Sequence, residues 1–172
     1  MGTIIRLLEK STKSIGWIFA WLILPLVLSL TYEVFARYVV GRPTTWSYEI
    51  SYMLMAAIFL LGAAYTLADG GHIRIDFLYV KFSPKRQAVL DLIGYLIIFL
   101  PVIFIIAYSS AKQAIYSFNT SEVSDISPWR PPMWPFRTSI ALGFILLSIQ
   151  GIAETMKKLI KLFGQKIGEG NG

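Results

Sequence analysis

The sequence contains no cysteine and one histidine, His72. The first absence removes disulfides, thiol redox chemistry and thiolate metal sites, and leaves the compartment open. The second rules out a haem held between two histidines of one chain. Charge is also scarce: 15% of the 172 residues are Asp, Glu, Lys or Arg, against about 25% in an ordinary soluble domain. Missing too are a phosphate-cradling glycine loop with its lysine, a His-Glu-x-x-His helix and a Gly-x-Ser-x-Gly elbow. No nucleophile stands beside a base, and the chain is expected not to be an enzyme.

What fills the space is long apolar runs. The chain is 55% hydrophobic, with a mean hydropathy of +0.60. Crossing a bilayer takes about 20 mostly apolar residues per helix. Residues 15–34, 48–67, 88–107 and 135–155 meet that length. The expectation is an all-α integral membrane protein with four transmembrane helices. Short loops leave no room for a second folded domain. The chain divides into a cytoplasmic amphipathic segment (1–14), one four-span domain (15–156) and a basic cytoplasmic tail (157–172).

Lys and Arg set the orientation. Eleven of the sixteen fall on one side: Arg6, Lys10 and Lys13, then Arg74, Lys81, Lys85 and Arg86, then Lys157, Lys158, Lys161 and Lys166. The positive-inside rule puts both termini and the central loop in the cytoplasm. The net charge of +6 is thereby used up in topology, and nucleic acid is not an expected partner. Membrane lipid is.

Residues 1–14 mix Ile4, Ile5, Leu7 and Leu8 with Arg6, Glu9, Lys10 and Lys13, a pattern for a helix along the inner membrane surface or for simple topogenic charge. The apolar run beyond is too long for a signal peptide and lacks a small-x-small cleavage pattern, so the first span is expected to remain in the mature protein. Trp17 and Trp21 mark a headgroup boundary. Pro25 is expected to kink the first span. Glu33 and Arg37 share a face at i,i+4 near its outer end. Trp46 marks the outer interface again, and Glu49 sits in the first turn of the second helix, where the dipole favours a carboxylate. Glu33, Arg37 and Glu49 thus fall at one depth, and the sequence reads as a three-charge cluster or as a clamp between helix ends.

Residues 62–76, Gly-Ala-Ala-Tyr-Thr-Leu-Ala-Asp-Gly-Gly-His-Ile-Arg-Ile-Asp, form the hinge between two pairs of spans. Gly62, Ala63, Ala64, Thr66 and Ala68 make a small-residue helix end that admits a close neighbour. Ser83-Pro84 starts the third helix. Along it Gln87, Asp91 and Tyr95 form a polar stripe that should face protein rather than lipid. Pro101 is expected to bend that span. The next loop carries Trp129, Arg130 and Trp134 among prolines that hold it extended, suited to anchoring at the interface or to docking a partner. Ser139, Gly143 and Gly151 give the fourth span a small-residue face.

His72 with Asp69 and Asp76 is the nearest approach to a metal site, and falls short of the three or four protein ligands such sites use. No metal and no cofactor are expected in this chain. A carrier needs polar groups or broken helices near the midplane, whereas here the charges collect at the ends of the spans.

Glu33 and Arg37 closing the first span, Trp46 and Glu49 opening the second, and Gly62 followed by Gly71-His72-Ile73-x-Ile75-Asp76 resemble the small membrane subunit of tripartite ATP-independent periplasmic (TRAP) transporters. The likeness covers almost the whole chain. Members often carry a second acidic residue just before the position of Glu49, where this chain has Tyr48. The resemblance implies a scaffold subunit in a bacterial or archaeal inner membrane. Its partners would be a large membrane subunit that holds sodium and substrate, and an extracytoplasmic binding protein that delivers an organic acid. The alternative is a self-sufficient four-helix channel or carrier.

Overall fold

In the computed structural model, which describes residues 2–69 and 84–169, proline sets the breaks in two of the long apolar stretches. Helix α1 (Gly2–Ala20) is followed by α2 (Ile23–Tyr38) after a turn at Trp21 and Leu22. Pro25 has no N–H for the Trp21 carbonyl, and the ladder tightens: Leu24 N–H takes that carbonyl at 3.1 Å, and Leu22 N–H bonds Phe19 at 3.0 Å. The expected kink is there, one turn before the proline.

Helix α3 (Ser47–Ala68) is uninterrupted, and α4 is described over Pro84–Ile93; Ser83 of the expected helix start lies outside the described residues. Between α4 and α5 (Leu100–Asn119) lies a π-helical stretch, Gly94–Phe99, just ahead of Pro101. There the Leu100 N–H reaches back to the Tyr95 carbonyl, widening the turn where the proline ring would crowd it. The chain closes with α6 (Trp134–Glu169), 36 residues long.

Four helical stretches are long and apolar enough to cross a membrane: Lys10–Tyr38, Ser47–Ala68, Val89–Asn119 and Trp134–Ile160. Number and order agree with the sequence. Three run well past the apolar cores that reveal them, because flanking polar residues continue a helix as readily as apolar ones. The 31 residues of the third reach about 47 Å at 1.5 Å per residue, against about 30 Å of hydrocarbon. Likewise α1 passes through Ser14 without a boundary, and Lys13 donates to Asp69 at the end of α3, 2.6 Å away.

Helix α6 is the axis. It packs against α3, α5, α1 and α4, whereas α2 leans on α3. Ala64, Leu67, Ile103 and Leu147 form the buried centre, with Tyr95, Phe99 and Phe144 around it. Close approach rests on two glycines of α6. A Cβ on Gly143 would stand 2.8 Å from the Leu60 Cβ and 3.2 Å from its backbone carbon, and one on Gly151 would stand 2.6 Å from the Phe99 ring. Van der Waals contact at such seams is the main source of helix association in lipid.

Gly143→Ala should therefore force α3 and α6 apart, at a cost of about 1–3 kcal/mol for overpacking. Gly62→Ala, whose Cβ would meet nothing within 4 Å, should leave stability unchanged or slightly raised. Melting temperatures in one detergent check this; equal behaviour of the two variants would refute the close seam.

Candidate functional site at the loop end of the bundle

The bundle end bearing residues 39–46 and 120–133 holds most of the polar candidates. At its first corner, α2 is closed by Gly41 at φ +71°, and the Arg42 N–H returns to the Ala36 carbonyl at 3.0 Å. Glu33 then ties the loop to the helix. Its Oε1 accepts from Arg37 Nε at 2.9 Å and Nη2 at 2.5 Å. Its Oε2 accepts from the Thr44 backbone N–H at 2.9 Å and from the Thr44 hydroxyl.

The Thr44 oxygen in turn accepts from the Ser47 N–H at 3.3 Å, satisfying a free donor at the start of α3. Ser47 donates to the Ser29 carbonyl at 2.9 Å, and the Ser29 hydroxyl lies 3.0 Å from Ser47 Oγ and 3.4 Å from Ser51 Oγ. A continuous polar chain thus runs from Glu33 into the α2–α3 seam. Trp46 stacks on Tyr32 with centroids 5.7 Å apart.

Glu49 does not join Glu33 and Arg37, so of the two readings of the sequence the three-charge cluster is not formed. Glu49 is 0% exposed, and neither carboxylate oxygen has a hydrogen-bond partner among the described residues. At helical spacing it lines up with Met53, Ala57 and Leu61 rather than with Ser47 and Ser51, which meet α2. Arg37 is 55% exposed at its side chain and belongs to Glu33. The cluster is two separate features: a Glu33–Arg37–Thr44 clamp and a buried Glu49 in the first turn of α3.

The second corner, residues 120–133, is a closed loop. Val123 and Pro132 form an antiparallel bridge, the Ser124 N–H meets the Pro131 carbonyl at 2.9 Å, and the Met133 N–H meets the Glu122 carbonyl at 2.8 Å. Arg137 of α6 pairs with Glu122 at the loop's root. Both are partly buried, yet Arg137 Nε and Glu122 Oε2 have no further partner among the described residues. Trp134 packs edge-on against Phe118 at 5.8 Å. Arg130, at φ +46°, reaches Asp125 at 2.9 Å, and the Trp129 N–H meets Ser127 Oγ at 3.2 Å. Trp129 and Arg130 are exposed at the tip.

The polar stripe of α4 lies at the opposite end. Asp91 pairs with Lys158 of α6, whose ammonium sits 5.1 Å from the centroid of the Tyr95 ring. Gln87 is partly buried on the same stripe. Gly71, His72, Ile73 and Asp76 lie outside the described residues. Among the described residues no group of three or more His, Cys, Asp or Glu side chains is placed to hold a metal ion.

This arrangement ties each corner loop to the helices that flank it. Thr44, the Ser29–Ser47–Ser51 trio, Glu122 and Arg137 join the candidates only in three dimensions, since their partners are far along the chain. One signal was local: Ser47 and Ser51 recur at i,i+4 on one helical face.

The family model described as "Tripartite ATP-independent periplasmic transporters, DctQ component" matches residues 26–161. No curated protein matches the chain. The match takes in both corners and all of α3 to α5.

Because Glu33 holds Thr44 as well as Arg37, Glu33→Ala should loosen residues 39–46 far more than Arg37→Ala. Hydrogen exchange at the Thr44 amide gives the readout. Fast exchange in the Glu33 variant alone is expected, and equal rates in both would mean that the Thr44 contacts do not hold the loop.

Proposed function

The chain belongs to the DctQ component family of tripartite ATP-independent periplasmic transporters, and we propose that within such a transporter it is a non-catalytic scaffold subunit. The family assignment and the four membrane-length helices make it a multi-pass membrane component of a transporter. In the proposed role it stands beside a large membrane subunit in a bacterial or archaeal inner membrane. Both termini are cytoplasmic, and residues 39–46 and 120–133 face outward. The large subunit holds sodium and the transported organic acid, and an extracytoplasmic binding protein delivers that acid.

The observation that carries this reading is the closed middle of the bundle. Ala57, Leu61, Ala64 and Leu147 are buried there, Leu60 abuts Gly143, and the buried Ser148 hydroxyl is spent on the Phe144 carbonyl of its own helix at 2.8 Å, with Gln150 buried half a turn further on. Carriers place polar groups or unwound backbone at that depth to hold their cargo. Here the ion pairs Glu33–Arg37, Glu122–Arg137 and Asp91–Lys158 brace the ends, as a rigid support requires.

Under the same proposal, the exposed tip with Trp129 and Arg130 is a surface for the binding protein. The clamp of Glu33, Arg37 and Trp46, with Glu49 behind it, holds the neighbouring corner in place. Gln87, Asp91 and Tyr95 fix α4 to α6.

Extraction of the tagged chain from its native membrane in mild detergent tests the role. One much larger hydrophobic polypeptide at fixed stoichiometry is expected, and substrate uptake in vesicles should need both chains. A homo-oligomer that alone conducts flux would replace the scaffold reading with that of a self-sufficient channel or carrier.

A further inference from the structure

Helix α5 changes chemistry along one stripe. Ile98 just ahead of it, then Val102 and Ile105, recur every three or four residues as exposed aliphatics. Four residues further on the same stripe comes Ser109, followed at i,i+3 and i,i+4 by Lys112 and Gln113, all three exposed. From Ile98 to Ser109 the stripe covers about 16 Å at 1.5 Å per residue. One leaflet contributes about half of the ~30 Å of bilayer hydrocarbon. The aliphatic part is therefore as long as one acyl layer, and polar residues begin where that layer ends.

The polar end is hollow. Ser109, Ser110 and Gln113 of α5 and Arg137 and Ile140 of α6 line a cavity of about 330 Å³. Arg137 lies one turn inside α6 from Trp134, an interfacial residue type, which puts the cavity at the headgroup boundary of the leaflet nearest residues 120–133. Hydroxyls elsewhere in the spans fold back on their own helices: those of Thr66, Ser148 and Thr155 bond the carbonyl four residues earlier. Ser109 and Ser110 make no such bond among the described residues. Their hydroxyls are left for a ligand.

Charge selects that ligand. Arg137 Nη2 pairs with Glu122 and Nε is enclosed, which leaves Nη1 for the cavity. Lys112 has no ion pair among the described residues, and its four-carbon stem carries the ammonium to headgroup level. Arg137 and Lys112 against Glu122 leave one positive charge in excess. A phosphodiester brings the matching negative charge, with oxygens that accept from hydroxyl, amide and guanidinium. A zwitterionic head would bring a second ammonium beside Lys112. A phospholipid also has the division of the stripe built in: an acyl chain of one-leaflet length beneath a phosphate.

We propose that this cavity binds the phosphate of one anionic glycerophospholipid in the leaflet nearest residues 120–133, with an acyl chain along Ile105, Val102 and Ile98. Ser109, Ser110 and Gln113 donate to the phosphate oxygens, and Arg137 and Lys112 balance the charge. The site belongs to this chain alone, and its test is separate from that of the scaffold role.

Native mass spectrometry of the full chain in mild detergent gives the readout. The chain is stripped of lipid, then given phosphatidylglycerol or phosphatidylcholine with the same acyl chains. One phosphatidylglycerol per chain is expected, bound about tenfold more tightly than phosphatidylcholine and not displaced by inorganic phosphate. Lys112→Gln and Gln113→Leu, both at exposed positions, should each weaken it about tenfold. Arg42→Gln removes a charge from the same end of the bundle, outside the cavity, and should leave binding unchanged. A photoreactive amino acid at Ile105, which leaves the cavity intact, should form adducts with phospholipid when native membranes are irradiated.

Equal affinity for the two lipids would reduce the stripe to ordinary acyl contact. Displacement by inorganic phosphate would assign the cavity to a soluble anion, and an equal loss in the Arg42 variant would trace binding to net charge. Adducts from Ile105 with a polypeptide instead of phospholipid would give the stripe to a neighbouring protein. Each of these four results overturns the proposal.

Discussion

The contact between Gly143 and Leu60 sets how near α3 and α6 can come, and the other helices take their places from that pair. Inside a bilayer apolar side chains gain nothing by leaving lipid for one another, so helices associate through close packing. Glycine at position 143 brings a backbone within van der Waals reach of Leu60. With the seam closed, Ala57, Leu61 and Ala64 have no room for larger side chains, and α5 and α1 lie against the faces of α6 that remain. Gly151 repeats the device against Phe99, beside the π-helical stretch.

Lipid also dictates where polar groups go. A donor or acceptor facing hydrocarbon has no water to meet it. The structure answers at the ends of the helices, where Glu33 accepts from Arg37 and Thr44 and Lys158 meets Asp91. Some buried groups depart from this: Gln150 Oε1 and the Thr12 and Ser117 hydroxyls have no partner among the described residues, and Glu49 is fully buried with both oxygens unpaired. Its position in the first turn of α3 gives it the positive end of the helix dipole, the one favourable field that needs no side-chain partner. It stands next to the well-satisfied Ser29–Ser47–Ser51 seam.

Features that depend on near neighbours were legible in the sequence. The four spans follow from apolar run length, the breaks near Pro25 and Pro101 from the missing N–H, and the Glu33–Arg37 pair from i,i+4 spacing. Features set by rotation about a helix axis were not. Glu49 lies at the same depth as Glu33, but depth does not say which way a side chain points, and the α3–α6 seam turned it away. Thr44 as the second ligand of Glu33 depends on how residues 39–46 fold back. The prolines of the second loop predict extended backbone and leave open the Val123–Pro132 bridge, whose partners are nine positions apart. Nor does hydropathy reveal that α6 is the axis, because every span is apolar enough to fill that place.

Pro25 links these levels. The first span is interrupted at Trp21 and Leu22: α1 packs on both α3 and α6, while α2 beyond the break packs mainly on α3. The polar ties of α2 are the serines along the seam and the Glu33 clamp at the corner, beside the Tyr32–Trp46 stack and the buried Leu26 and Ala36. A straight span following α1 would have no reason to exchange neighbours midway. The bent one leaves the Tyr48–Thr66 face of α3 uncovered over the full depth of the membrane, walled by α1 at one end and α2 at the other. The interruption near Pro25 thus falls where the neighbours of the first span change along its length.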